Sequence, residues 1–414
     1  MKKIIMLFIF GLLISVLMSC DEKESEPEID YAAKYGLNYK LENTTADKKY
    51  LYGMCDLAWS EYMWNPNSPI DYKMTAQLIQ NMGAKSVRNW MHSYWLMDSP
   101  TTYNEKNLAL AHDIVDDLME RGFQVIGMNH SNFHASGYPN SSQTTAKPAR
   151  DLTEGSEYLK WLEDYKTTWY HIVKEFPEIK FWEIDNEPNS DVFFPKLTGG
   201  TFSLKEKAAI YTDMMYFASL GIHEANPKAN TVMGGLVTGT AETFLQYIYD
   251  NIYADDSWSQ YPDDYFQIAC WHPYMSTFTS TKFKTTNDDI YNVIKSNEGK
   301  DKKVFLTEFG FSEANFSLDK INQYLRESYE VLEDLPYVEA AHYFRMYDNL
   351  DNTWGSIAEN AHGLYSDPLT HGPQLADGSY PNPVLCKPKN AAYTYQEMAG
   401  GEGSLTIYQE ILNK

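Results

Sequence analysis

From about residue 48 onward, the chain alternates short apolar, β-prone runs with longer stretches of helical periodicity. This alternation is typical of βα units whose strands form a parallel sheet. Several of the runs are almost wholly apolar, as expected of strands that are buried on both faces. We predict eight strands, at residues 50–59, 85–91, 123–130, 180–186, 231–237, 265–271, 303–308 and 340–346.

Most of the intervals between these strands carry a helical stripe. In residues 107–121, for example, Leu108, Ala111 and Val115 recur at helical spacing, and Gly122 then favours a stop. Eight strands with helices between them predict an α/β fold, a (β/α)8 TIM barrel formed as a single domain. An open, doubly wound sheet is the alternative, but no glycine-rich dinucleotide-binding turn follows the first strand. We predict helices at residues 72–82, 107–121, 156–175, 204–224, 287–296, 318–332 and 390–398.

The N-terminus combines a basic start with an apolar run. Lys2 and Lys3 precede apolar residues 4–16, a run too short for a typical membrane span, and this pattern predicts a secretory signal peptide. The segment ends in Ser19-Cys20, which resembles the lipobox of bacterial lipoproteins and implies lipidation of Cys20. An ordinary signal peptide followed by a chance cysteine is the alternative.

The segment after Cys20 is acidic. Residues 21–28 also contain a proline, so they are expected to stay solvated as a flexible tether. The predicted organisation is a lipoprotein signal peptide at residues 1–19, an acidic lipid-anchored tether at 20–47 and the barrel at 48–414. This organisation predicts an outer membrane lipoprotein that faces the cell surface or the periplasm and contacts the membrane only through the lipid on Cys20.

Charge and composition exclude some partners. The formal net charge of −23 over 414 residues argues against nucleic acid or an anionic membrane surface as the main partner. The aromatic content of 15% suits a carbohydrate-handling protein, because sugar rings pack their C–H groups on aromatic faces, although large cores also use many aromatic residues. The spacing of the cysteines indicates neither a disulfide framework nor a zinc site.

Two of the predicted strands end in a glutamate, Glu187 after the fourth and Glu308 at the end of the seventh. Because the carboxyl ends of the strands meet at one end of a barrel, we expect the two carboxylates to face each other about 5–5.5 Å apart. Such a pair is what a retaining glycosidase needs, with one group as proton donor and the other as nucleophile. Two unrelated surface glutamates are the alternative interpretation.

The surroundings of both glutamates resemble clan A of the retaining glycoside hydrolases. Residues 182–188 read Trp-Glu-Ile-Asp-Asn-Glu-Pro at the end of strand four, and residues 307–310 read Thr-Glu-Phe-Gly at the end of strand seven. In that clan, the Asn-Glu-Pro glutamate is the acid/base and the strand-seven glutamate is the nucleophile. The resemblance spans essentially the whole barrel and implies these roles for Glu187 and Glu308, respectively.

The same resemblance implies further residues of the site. Arg88, in the second strand, would lie beside the nucleophile, and Asn186 would bind the 2-hydroxyl of the sugar at the cleavage point. After the sixth strand, Tyr274 would bond the nucleophile and His272 would position the acid/base or the sugar. The proline between them leaves open which of the two reaches the cleft. His130, after the third strand, matches a sugar-contacting histidine of related families.

Aromatic side chains near the predicted strand ends are candidate platforms for sugar rings. Strand eight has no tryptophan where many clan members place one under the cleavage subsite, so Tyr343, Phe344, Tyr347 or Trp354 would replace it. Five more aromatic residues follow the first two strands, namely Trp59, Trp64, Trp90, Tyr94 and Trp95. For any single one of these five, ordinary loop packing is the alternative.

Together these features predict a retaining glycoside hydrolase. Asn189, directly after the Asn-Glu-Pro motif, favours a family 39-like enzyme, whereas the pair His272 and Tyr274 favours a family 5-like enzyme. We expect cleavage of neutral β-linked glycans of the β-glucan, mannan or xylan type. The expected partner is an oligo- or polysaccharide, with neither a cofactor nor a metal. The alternatives are a non-catalytic glycan-binding lipoprotein on the same barrel and a transglycosylase.

Overall fold

The computed structural model describes residues 48–55, 72–130, 145–255, 257–348, 360–366 and 387–406. All eight predicted strands are found in these segments, and they form the expected parallel barrel, with strand ends that differ by a few residues from the predicted ones. The strands are β1 (Tyr52–Cys55), β2 (Ser86–Trp90), β3 (Gln124–Asn129), β4 (Phe181–Ile184), β5 (Asn230–Met233, continued by Leu236–Val237), β6 (Ala269–His272), β7 (Val304–Phe309) and β8 (Val338–Phe344).

The barrel closes through β5. Its first part pairs with β4 and its continuation pairs with β6, while Val232 and Ile268 form a further parallel bridge. On the other side, β1 pairs with both β2 and β8, so neighbours in sequence are neighbours in the ring. A closed parallel barrel places the carboxyl ends of all its strands at one mouth. The residues after β4 and the last residues of β7 therefore share that mouth.

Helices surround the barrel, and one of them, at Ala241–Ile252, was not predicted from the sequence. The described helices are α1 (Tyr72–Asn81), α2 (Glu105–Glu120), α3 (Glu157–Glu175), α4 (Leu204–Ala225), α5 (Ala241–Ile252), α6 (Ser280–Glu298), α7 (Leu318–Asp334) and α8 (Asn390–Ala399). Smaller elements are the turns Ser93–Leu96, Thr238–Thr240 and Pro262–Asp264 and the hairpin formed by Met97–Ser99 and Thr102–Tyr103.

Two helices differ from the sequence-based expectation. The unpredicted α5 buries Phe244 and Ile248 on a helical stripe, but its aromatic and β-branched residues lower its helix propensity and make the run resemble a strand. Helix α6 begins well before the predicted start at residue 287. Its threonine-rich first turns have low helix propensity, and the helix begins there because the Thr279 side chain accepts a hydrogen bond from the backbone N–H of Lys282 at 3.2 Å.

The side chains inside the barrel form an apolar layer and a polar layer. The polar layer lies towards the carboxyl ends of the strands, where Arg88, Glu183 and Thr307 are fully buried. Alternate residues of a strand point the same way. Thr307 therefore points into the barrel like Phe305, two positions earlier, but lies one layer closer to the carboxyl end of the strand. The apolar layer consists of Ile126, Val232, Ile268, Cys270, Phe305 and Ala340.

The described chain begins at the end of the barrel opposite this polar layer. The Lys48 ammonium donates to the carbonyl oxygens of Leu332 at 3.0 Å and Val338 at 2.7 Å, at the end of α7 and the start of β8. Within the described segments, no helix is long and apolar enough to cross a membrane. The predicted signal peptide, tether and Cys20 lie outside the described residues.

Candidate active site

The two glutamates singled out by the sequence face each other at the carboxyl end of the barrel. One carboxylate oxygen of Glu187, one of Glu308 and a ring nitrogen of His272 all lie within 4.8 Å of one another. His272 Nδ1 lies 3.0 Å from Glu187 Oε1 and 3.8 Å from Glu308 Oε2. The Glu187 side chain is 18% exposed and that of Glu308 is 9% exposed, so Glu187 is the more accessible group.

Glu308 is held as a carboxylate by its neighbours. Arg88 Nη1 forms an ion pair with Glu308 Oε1, and the Tyr274 hydroxyl donates to Oε2 at 3.0 Å. Burial alone would raise the pKa of Glu308, but the charges of His272 and Arg88, together with these hydrogen bonds, lower the pKa below its ordinary value. Glu308 is therefore ionised at neutral pH.

Arg88 connects three strands of the barrel at this mouth. Its Nε and Nη2 donate to the two oxygens of Glu183 at 2.6 and 2.8 Å, and Nη2 also donates to Asn186 Oδ1 at 2.7 Å. Burial alone would lower the pKa of Arg88, but Glu183 and Glu308 hold it well above its ordinary value. The guanidinium thereby fixes the orientation of both Glu308 and Asn186.

Glu183 is a buried carboxylate that the sequence analysis missed. Besides Arg88, it accepts hydrogen bonds from the Thr307 hydroxyl at 3.0 Å and from the Gly235 backbone N–H at 3.1 Å. A signal for it was present, because a charged residue at an inward-facing position of an otherwise apolar strand requires a buried partner. Glu183 keeps Arg88 in place from the side opposite Glu308.

The contact between His272 and Glu187 contains a proton. Thr307 gives its hydroxyl proton to Glu183, so the same hydroxyl accepts from His272 Nε2 at 3.0 Å. With Nε2 protonated, the contact of Nδ1 with Glu187 Oε1 at 3.0 Å needs one further proton, carried either by the carboxyl or by the imidazole. Both His272 and Tyr274 thus reach the carboxylates, one on each glutamate, despite the proline between them.

The turn that carries Glu187 is strained and is held by backbone hydrogen bonds. Asp185 and Glu187 have φ angles of 72° and 46°, the two positive values among non-glycine residues of the described chain, and such conformations persist where the surroundings determine them. The Glu187 backbone N–H donates to Gly235 O at 3.0 Å. Asn189 exchanges two hydrogen bonds with the Val237 backbone, at 2.8 and 3.0 Å, and so fixes the end of the turn.

The interruption of β5 at two glycines makes room for the His272 ring. A Cβ atom on Gly235 would lie 2.0 Å from His272 Nε2, and one on Gly234 would lie 2.6 Å from Ile184 O. Only a residue without a side chain fits such approaches. The pair is visible in the sequence inside a predicted strand, where an isolated glycine often marks a close approach.

His130 and Trp90 lie together on the β2–β3 side of the mouth, with a second histidine that the sequence analysis missed. The His92 ring stacks on His130 at a centroid distance of 4.1 Å, and Trp90 lies 4.8 and 5.6 Å from the two imidazoles. Burial, with a contribution from Arg88, lowers the pKa of His92 to about 3. Burial also lowers the pKa of His130 well below its ordinary value, so both rings are neutral at pH 7.

These neutral rings have free hydrogen-bonding capacity. Among the described residues, both ring nitrogens of His92 and the Nδ1 atom of His130 lack a hydrogen-bond partner. Buried polar atoms without partners are rare and need an explanation.

Of the aromatic candidates in and after strand eight, Phe344 lies at the mouth. Its ring centroid is 6.3 Å from that of Tyr274 and 5.7 Å from that of His362, and it remains partly exposed. Tyr343 and Tyr347 are buried, with exposures of 1% and 2%, so neither presents a face to a sugar.

The other aromatic candidates have mixed outcomes. Trp95 is buried in the core, with an exposure of 7%, so the alternative of ordinary packing applies to this residue. Tyr94 stacks on His92 at 5.5 Å. Trp59, Trp64 and Trp354 lie outside the described residues.

Within the part of the chain that the structure describes, two groups of side chains have atoms close enough together to hold a metal ion. Glu187, His272 and Glu308 form one group, and Glu183, Cys270 and His272 form the other. Members of both groups already bind one another or Arg88, so occupation by a cation would displace the contacts described above.

Comparisons with known proteins bear on the family and the fold of the chain. The family model for cellulase, glycosyl hydrolase family 5, matches residues 45–341. Among solved structures, the fold is similar to a family 39 glycoside hydrolase from Bacteroides cellulosilyticus WH2, with a TM-score of 0.59 and 16% identity over 86% of this chain and 64% of that chain. A family 5 enzyme from Prevotella bryantii B14 has a TM-score of 0.56 and 13% identity over 87% of this chain and 99% of its own.

A further family 5 structure, a GH5-4 broad specificity endoglucanase from Clostridium longisporum, has a TM-score of 0.58 and 14% identity over 86% of this chain and 97% of its own. No curated protein matches the sequence at a significant level. The likenesses to solved structures show the fold, while the family model, which matches more than half of the chain, decides between the two families that the motifs left open. The chain belongs to glycosyl hydrolase family 5.

Proposed function

We propose that this glycoside hydrolase cleaves neutral β-linked glycans by double displacement, with retention of the anomeric configuration. The observation that carries the proposal is the pair of facing carboxylates within 4.8 Å, one held ionised by Arg88 and the other sharing a proton with His272. Retaining enzymes use closely spaced carboxyl groups, whereas inverting enzymes need a gap of about 6.5–9.5 Å for a water molecule.

The two glutamates divide the reaction between them. In the first step, Glu308 attacks the anomeric carbon, the glycosidic C–O bond breaks, and Glu187 gives its proton to the departing oxygen. In the second step, Glu187 removes a proton from water, and the resulting hydroxide displaces Glu308 from the anomeric carbon. Asn186, oriented by Arg88, binds the 2-hydroxyl of the sugar, an interaction that strengthens in the transition state.

A neutral glycan suits the surroundings of the carboxylates. The net charge of −23 disfavours polyanionic substrates, Phe344 presents a ring at the mouth, and the unpartnered nitrogens of His92 and His130 favour hydroxyl groups. A family 5 enzyme from Prevotella bryantii B14 was solved with a xyloglucan tetradecasaccharide. We therefore include xyloglucan with β-glucan, mannan and xylan among the candidate substrates.

Hydrolysis of a glycan panel tests this proposal against its alternatives. We expect release of reducing ends from at least one of these four glycans and turnover of aryl β-glycosides. Binding without hydrolysis would instead indicate a glycan-binding protein. Longer products that appear on addition of acceptor sugars would indicate a transglycosylase.

Tyr274→Phe is expected to shift the acidic limb of the pH profile of kcat/KM upward. The hydroxyl donates to ionised Glu308 and so favours the charged form, and its removal is therefore expected to raise the pKa of that carboxyl. Because Glu308 must be ionised to attack, activity is then lost at a higher pH as the solution is acidified. The control is Tyr253→Phe, at an exposed tyrosine. An unchanged or downward-shifted limb would contradict the contact.

We also propose, from the sequence, that lipid on Cys20 anchors the enzyme to the outer membrane. Lys48 lies at the end of the barrel opposite the carboxylates, so the tether proposed for residues 20–47 would join the barrel at the end away from the active-site mouth. Cys20→Ser is expected to abolish incorporation of labelled palmitate and to move the protein into the aqueous phase of a detergent partition. A wild-type protein that takes up no label would contradict the anchor.

A further inference from the structure

A buried ion pair adjoins the turn that carries Glu187. The Lys147 ammonium lies 2.8 Å from Asp185 Oδ2, and both side chains are fully buried. Asp185 Oδ1 accepts a hydrogen bond from the backbone N–H of Asn186 at 2.7 Å. The carboxylate therefore joins the lysine to the residue directly before Glu187. Burial lowers the pKa of Lys147 and raises that of Asp185, while their mutual attraction opposes both shifts.

Lys147 also binds the segment that follows the turn. Its ammonium donates to Phe193 O at 3.1 Å. Its backbone N–H donates to Pro195 O, and its carbonyl accepts from the Leu197 N–H, both at 2.9 Å. One lysine thus connects the residues before Glu187 with those after it.

The turn needs such support because its backbone is strained. Asp185 and Glu187 have φ angles of 72° and 46°, a region that side chains other than glycine rarely occupy. Strain of this kind persists where neighbouring contacts over-determine the conformation. Two fully buried, oppositely charged groups attract each other, and removal of one partner leaves the other uncompensated.

We propose that Lys147 and Asp185 are positioning residues, which hold the 185–187 turn so that the Glu187 carboxyl faces the glycosidic oxygen. The catalytic role of the turn, which is to present the Glu187 carboxyl to the glycosidic oxygen, rests on the proposed function. The effect of the ion pair on the conformation of the turn does not depend on that function. The two parts are therefore tested by separate measurements.

Lys147→Met tests the link to proton donation, because methionine retains much of the length of the side chain without its charge. We expect kcat/KM for a phenyl β-glycoside to fall by roughly 10- to 100-fold, since a displacement of about 1 Å costs a catalytic group a comparable factor. For the 2,4-dinitrophenyl β-glycoside of the same sugar we expect a loss of about threefold or less, because its leaving group needs no proton. The double variant Lys147→Met/Asp185→Asn should lose no more than Lys147→Met alone, since neither charge is left without its partner.

Lys302→Met is the matched control. Lys302 is equally buried and pairs with Asp263 at 2.7 Å and Glu298 at 3.1 Å, but it precedes β7 at the opposite end of the barrel. This substitution should lower the thermal midpoint while leaving the ratio of the two glycoside rates unchanged. A change in that ratio in Lys147→Met is therefore not a general effect of removing a buried charge.

Hydrogen exchange gives a readout that is independent of turnover. In the full-length protein, Lys147→Met should speed amide exchange in a peptide spanning residues 184–193, and Lys302→Met should not. Faster exchange confined to this peptide would support the positioning role even if the wild-type protein cleaved no glycoside, a result that would contradict only the proposed function. Unchanged exchange there, or equal losses on the two glycosides in an active enzyme, would overturn the proposal.

Discussion

Replacing Glu308 by alanine is expected to lower kcat/KM for aryl β-glycosides by roughly 10⁴- to 10⁶-fold, the scale seen when an enzyme loses its nucleophile. The anomeric carbon then lacks the group with which it forms a covalent bond. The fold should survive, because Arg88 keeps its contact of 2.6 Å with Glu183. Azide should restore turnover by attacking from the space that the carboxylate vacates, and the product should be the α-glycosyl azide, identified by NMR.

The control for this variant is another carboxylate that follows β7. Glu313 forms an ion pair with Lys389, so Glu313→Ala, like Glu308→Ala, removes the carboxylate partner of a cation. It should leave kcat/KM for aryl β-glycosides unchanged. Substantial activity in Glu308→Ala without azide would show that another group attacks the anomeric carbon. Formation of the β-glycosyl azide alone would lead to the same conclusion.

Replacing Glu187 by alanine should separate substrates by their leaving groups. For a phenyl β-glycoside, kcat/KM is expected to fall by roughly 10²- to 10⁴-fold, the usual contribution of a general acid. For the 2,4-dinitrophenyl glycoside, kcat/KM should stay close to the wild-type value, because the departing phenolate needs no proton. Its kcat should still fall, since the second step loses the base that activates water.

Azide distinguishes this variant from the previous one. With Glu308 still present, azide should react with the glycosyl-enzyme and yield the β-glycosyl azide, whose configuration is opposite to the product of Glu308→Ala. Equal losses of kcat/KM on both aryl glycosides would contradict the assignment of Glu187 as the proton donor.

The barrel was predictable because its strands have a simple physical signature. Strands buried on both faces are short apolar runs, and these runs locate all eight strand positions. Helix α5 was missed because an aromatic and β-branched composition resembles a strand, although Phe244 and Ile248 lie on one buried stripe. The thiols of Cys55 and Cys270 are buried and free of disulfides.

The parts of the site that the sequence did not predict depend on contacts between distant segments. Glu183 is defined by Arg88, from another strand, and by Gly235, from a third. Strand alternation places Glu183 inside the barrel, but only the assembled ring shows which cation it meets. Lys147 is a still stronger case, because its partner Asp185 lies beyond α3 and β4 in the chain, and no spacing in the sequence links the two residues.

The stereochemistry of the first product distinguishes two displacement steps from one. In the proposed mechanism, two carboxylates act on one anomeric carbon, and Glu308 is attached to it between the two steps. The hydrolysis of a β-glycan or β-glycoside that the enzyme cleaves is followed by proton NMR from the moment the enzyme is added. The β-anomer of the product should appear first, and the α-anomer should form only later, by mutarotation. An α-anomer formed first would mean a single displacement by water and would contradict the account.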